Sequence, residues 1–149
     1  MNNTIIAVHG KSNQGKSETI KKVCQLILEL YPDNAIPSIT PINYNHDIFL
    51  SITIGKIKIG FESQGDPNSR MIHDNTVEEL AKKACNIIIC ATRTGGMTVK
   101  KVDEIADKYD YHTLWISSFW SPTLNHTVLN RYGAENIINI IKGLITAQL

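Results

Sequence analysis

Residues 10–17 read "GKSNQGKS" and place Gly10, Gly15, Lys16 and Ser17 in the pattern G-x-x-x-x-G-K-[ST]. Each residue type suits the capture of phosphate. The two glycines let successive backbone N–H groups turn into one concavity, a nest for anionic oxygens. Lys16 brings a point charge for the outer groups of a phosphate chain, and the Ser17 hydroxyl is a ligand for Mg²⁺. A helix starting here would aim its free amides and the positive end of its dipole at the same place. Lys11, Ser12, Asn13 and Gln14 between the glycines, and Glu18 just after the motif, complete the expected binding stretch. With glycine at about 7% of residues, a chance match in a chain this short arises about once in a hundred.

Such a loop works only between a strand and a helix, and the flanking sequence predicts both. "TIIAVH" before it is a short β-branched run suited to a strand buried on both faces. After it, Ile20, Val23, Cys24, Ile27 and Tyr31 recur at helical spacing until Pro32 stops the pattern. Residues 33–47, with Pro37, Pro41 and several Asn, read as a long loop. In "IFLSITIGKIKIGFE" two alternating runs flank Gly55-Lys56, the signal of a tight II′ hairpin. Its pairing sets Ile54 against Ile57, Ile52 against Ile59 and Leu50 against Phe61. A loop over residues 63–75 follows. Thr76 and Glu79 then form a capping-box pattern for a helix over residues 76–85. "NIIICAT" and "YHTLWISS" are two further strands, and Thr98 can cap the helix between them. The tail is helical, with a break expected at Gly133. Its apolar residues, Ile137, Ile138, Ile140, Ile141, Leu144 and Ile145, either pack on the sheet or supply a homodimer or partner contact.

Strands alternating with helices predict one α/β domain over residues 1–149. We expect a mainly parallel sheet of about five strands, helices on both faces and one antiparallel edge strand. The 149 residues, 42% apolar and 19% charged, suit a globular domain with a sizeable core. A formal charge of +1 gives no general attraction for nucleic acid or anionic lipid. No run approaches the roughly 20 apolar residues of a membrane helix, and "MNNTIIAVHG" does not read as a signal peptide. Cys24, Cys85 and Cys90 include no C-x-x-C pair and read as buried thiols, so a cytoplasmic location is expected.

On the loop and its setting, the chain resembles the P-loop NTPases, with "GKSNQGKS" as the Walker A motif. The resemblance implies the P-loop NTPase fold and a nucleoside triphosphate, ATP or GTP, held with Mg²⁺ by Lys16 and Ser17. It also implies a carboxylate near Ser17 for the metal. "IKIGFE" looks like a Walker B strand with Glu62 in place of the usual Asp, and Asp66 is the substitute candidate. Glu62 otherwise reads as a solvated strand-end charge. "ESQG" resembles the D-x-x-G segment of Ras-like small GTPases, which matches Gly65 to the glycine that contacts the γ-phosphate. Gln64 is the candidate for orienting water, although it precedes the glycine. Thr40 is a candidate switch threonine or a plain loop residue. The N-K-x-D motif that reads guanine is missing where the last strand runs into "ISSFWSP", so the base is not assigned. Trp115, Phe119 and Trp120 either pack in the core or offer a face to a base. "ATRTGGMT" suggests a mobile loop in which Arg93 is either a lid arginine, as in small P-loop kinases, or an ordinary solvated one, with Arg70 and Arg131 behind it. His9 adjoins the loop and reads as a packed strand-end residue.

Three functions remain open on this reading. The first is Mg-dependent nucleoside triphosphate binding and hydrolysis, with Lys16, Glu62, Gln64 and Arg93 as catalytic candidates. The second is a small kinase passing the γ-phosphate to a metabolite or nucleotide. The third is a nucleotide-binding regulatory module with little or no turnover.

Overall fold

Ile5, Ile6, Ala7 and Val8 are apolar on both sides of the chain, so the strand they form needs cover on both faces. In the computed structural model, which describes residues Met1–Leu149, that strand is β1 (Thr4–His9), and all four are fully buried. It lies between two parallel neighbours, β5 (Ile87–Thr92) and β6 (His112–Ser117). β4 (Ile57–Glu62) pairs in parallel with β5, β3 (Phe49–Ile54) antiparallel with β4, and β2 (Ala35–Pro37) antiparallel with β3. The order across the sheet is β2-β3-β4-β5-β1-β6.

The sheet thus has six strands where about five are expected, and the antiparallel strand is not the edge. The added strand comes from the stretch read as loop. Ala35–Pro37 is only three residues long, with Ile36 exposed, and pairs with β3 on one side alone. Pro37 is tolerated there because an edge strand has an N–H row with no partner to lose. The hairpin itself forms in the expected register, Ile54 with Ile57, Ile52 with Ile59 and Leu50 with Phe61. Its turn has positive φ at Gly55 and not at Lys56, the pattern of a II′ turn.

Helices cover both faces. α1 (Lys16–Leu30) and α5 (His126–Ile145) pack on one, where Ile6, Val8, Ile87 and Ile89 meet Ile20, Val23, Ile27, Ile137 and Ile141. α2 (Arg70–His73), α3 (Thr76–Lys82) and α4 (Met97–Tyr109) cover the other, against Ile5, Ala7, Ile88 and Cys90. Each fully buried Ile is worth about 1.5–3 kcal/mol relative to an exposed one.

Local details differ from expectation for tertiary reasons. The short helix α2 lies in the stretch expected as loop and delivers the chain to α3 through Asn75, which takes the N-cap at φ 52°. Thr76 then falls inside the helix, its hydroxyl buried and unpaired, and the capping box does not form. α3 ends at Lys82 rather than 85, since Ala84 turns the chain at φ 60°. Thr98 lies within α4, where its hydroxyl accepts from the Arg93 amide at 3.0 Å and braces the preceding loop. α5 runs through Gly133 without a break, and that residue is buried where α5 meets Thr19 of α1. No helix is long and apolar enough to cross a membrane.

Candidate functional site

The loops after β1, β4 and β5 leave the same edge of the sheet, the C-terminal ends of parallel strands, where open α/β folds place ligands. After β1, the Gly10 amide still donates to the Thr92 carbonyl at 3.2 Å, and the ladder stops there. None of the backbone amides of residues 11–15 donates to a backbone carbonyl. The amides of Lys16, Ser17 and Glu18 open α1 and have no acceptor within the helix. Regular bonding resumes with Thr19, donating to the Gly15 carbonyl at 2.9 Å. Asn13 at φ 60° and Gly15 at φ 80° supply the left-handed turns that curl the segment. Gly10 does not share them; the second left-handed position is Asn13, a residue type that tolerates it. Gly15 is doubly constrained, because an added Cβ would also sit 2.3 Å from Asn130 Oδ1 of α5.

Lys16 folds back over this loop. Its Nζ donates to the Gly10 and Thr92 carbonyls, both at 2.7 Å, and one N–H of the ammonium remains. Burial lowers its pKa to about 8; the Arg93 guanidinium adds to the fall and Asp66 opposes it.

The carboxylate beside Ser17 is Asp47, a residue the sequence did not single out. Ser17 Oγ donates to Asp47 Oδ1 at 2.6 Å, and Ser63 Oγ donates to the same oxygen at 2.7 Å. Ser63 is itself fixed by the Ile48 amide, so the first residue beyond β4 holds the approach to β3 in place. Glu62, expected near the metal, is placed otherwise. It is fully buried and gripped by Arg70, with Nε 3.0 Å from Oε2 and Nη2 2.9 Å from Oε1. A carboxylate at that depth needs a cation, and α2 supplies one from inside the chain.

These groups border a cleft of about 550 Å³. Its lining is residues 12–18 with Lys21, Asp47, Ser63, Gln64, Gly65, Asp66 and Ala91, together with Phe119, Trp120, His126 and Asn130, the last of which lies against Gly15. Comparison with protein-family models, curated proteins and solved structures found no match.

Several sequence candidates can now be located. Gln64 borders the cleft, and its Oε1 accepts from the Arg70 amide at 3.2 Å. Gly65 lies against β5 so closely that a Cβ would be 2.4 Å from the Ala91 carbonyl oxygen, which only glycine permits. Arg93 stands outside the cleft lining, paired with Asp66 at 2.9 Å. Gly10 and Lys11 also stand outside it. Thr40 is exposed and stands outside the cleft lining, and Arg131 borders a neighbouring cavity instead. His9 Nε2 lies 3.4 Å from Ser117 Oγ, with its ring edge-on to half-buried Trp115. Phe119 and Trp120, by contrast, are 41% and 43% exposed, and Trp120 stacks on His126 at 6.2 Å between centroids. The three cysteines are buried and free, and burial pushes their thiols up to about 11 for Cys24 and Cys85 and about 12 for Cys90.

Asp47 was hidden because its loop has no period and the contact spans 30 residues. His126 and Asn130 were hidden because helix α5 reads as a packing element throughout.

Proposed function

We propose that the chain binds a magnesium nucleoside triphosphate in this cleft and hydrolyses it. The observation that carries the reading is the run of backbone amides from Lys11 to Glu18, left without backbone acceptors at a strand–helix junction beneath the Lys16 ammonium. This segment is open to solvent except at Lys16, its amides are free to bond, and an oxyanion chain is the ligand that answers many at once.

The residues present suit Mg²⁺. The Ser17 hydroxyl and Asp47 carboxylate are hard oxygen donors side by side on the cleft wall, a donor set that leaves most positions to water and phosphate. When bound, the ion supplies charge neutralisation at the phosphoryl oxygens. The chain's own part is positioning. Loop amides and the Lys16 ammonium hold the phosphates and stabilise charge on the transferred group. Gln64, also in the cleft lining, keeps its side-chain NH₂ for a water molecule, its oxygen being held by the Arg70 amide. Phe119 and Trp120 give the base an aromatic face, which tolerates either purine.

Calorimetry with Mg-ATP and Mg-GTP, coupled to phosphate release, tests this. Binding with steady release and no acceptor is the expected result, and Lys16→Ala should weaken binding or turnover by about a hundredfold. Unchanged behaviour in that variant would reject the site.

A further inference from the structure

We propose that a second cavity beside the loop is a phosphate subsite, taking either a phosphate ester on the nucleotide's ribose or free phosphate; it rests on the nucleotide reading above. The cavity, about 380 Å³, lies between α1, the first turns of α5 and Tyr44. Glu18, Lys21 and Asn130 border both it and the main cleft, so the two spaces share a wall.

Its charge is lopsided, with Lys21, Lys22 and Arg131 against Glu18 alone. Lys21 is the telling residue. Its side chain is 8% exposed, yet its one hydrogen bond is to Glu18 at 3.2 Å, and Glu18 is itself 63% exposed. An ammonium has three N–H donors, and burying the charge is costly unless they find acceptors. Arg131 is only loosely engaged, with Glu135 at 3.8 Å and the Tyr132 ring centre 5.6 Å from its guanidinium carbon. A guanidinium and two ammoniums around one space match a phosphate.

Position supports the same ligand. His126 borders the aromatic part of the main cleft, Thr127, Val128 and Arg131 border the second cavity, and Asn130 borders both. A nucleotide held in the main cleft is therefore separated from the second cavity only by Glu18, Lys21 and Asn130.

Calorimetry of Mg-ATP against its ribose 3′-phosphorylated derivative, with the GTP pair alongside, tests the subsite. A third titration adds inorganic phosphate to the Mg-ATP complex. The added phosphate should raise affinity about tenfold. That ratio should fall toward one in Lys22→Ala and Arg131→Ala, whose exposed or half-buried positions tolerate truncation, and in Lys21→Met. A gain only with free phosphate, lost in the same variants, keeps the subsite and assigns its anion to a second molecule. If Mg-ATP binds but neither phosphate adds affinity, or the ratio survives the substitutions, the subsite is overturned and the nucleotide reading stands. If no nucleotide binds, both fall.

Discussion

The loops after β1 and β4 leave the same edge of the sheet with β5 between their strands, and both are polar, charged and glycine-containing. Their charges are spent differently. After β4, each carboxylate has a cation: Glu62 holds Arg70, and Asp66 holds Arg93. After β1, the amides point at nothing in the backbone ladder, and Lys16 rests on two carbonyls that do not neutralise it. The difference teaches where to look for a ligand. A carboxylate that is buried and paired is structure, whereas donors held in place without a partner of opposite charge are free to meet a ligand.

The sharpest way to break this contrast is to remove Arg70. Arg70→Met should cost about 3 kcal/mol or more of stability in a urea titration, because Glu62 would be left charged and buried. A variant as stable as the parent would mean that Glu62 does not need that cation. On the β1 side, Asp47→Asn should raise the Mg²⁺ concentration for half-maximal nucleotide binding by about tenfold, read from metal titrations at fixed nucleotide. An unaltered requirement would return the metal role to another carboxylate.

Protonation of Lys16 probes the same loop. Its pKa in the folded chain is lowered to about 8, so the free site loses its charge as pH rises through that value. Affinity for Mg-nucleotide should therefore fall about tenfold between pH 7 and 9. Because the folded value lies below the ordinary 10.5, the unfolded chain holds more protons between them, and the penalty of burying Lys16, full below pH 8, is relieved as pH rises across that window. A binding profile flat to pH 10 would contradict the placement of this ammonium. The smallest effect is expected at the aromatic part of the cleft lining. Trp120→Ala should weaken nucleotide binding about fivefold, the scale of one base–aromatic contact, and affect inorganic tripolyphosphate less. Equal losses for both ligands would make Trp120 a packing residue.

Much of this was legible along the chain, and the pattern of success has a physical cause. The hairpin register followed from alternation around Gly55, since a two-residue turn leaves one pairing that keeps the apolar residues on one face. The curled strand–helix loop of residues 10–17 was legible because left-handed turns at Asn13 and Gly15 are a local backbone preference. β2 escaped notice, being three residues of edge with no alternation to read. The helix caps at Thr76 and Thr98 failed because the chain's direction of entry, set by α2 and by the loop after β5, decided which residue stood at each helix start.

What the sequence determined by itself is local: strands, helices, one tight turn, and a segment whose residue types curl its backbone at a strand–helix junction. What the tertiary structure alone decided is which charges meet. Asp47 reached Ser17 across 30 residues, Arg70 claimed Glu62, and Lys21 came to rest between two cavities. Periodicity and backbone preference are written residue by residue, but an electrostatic partner is chosen by proximity in space, which exists only once the sheet and helices have packed.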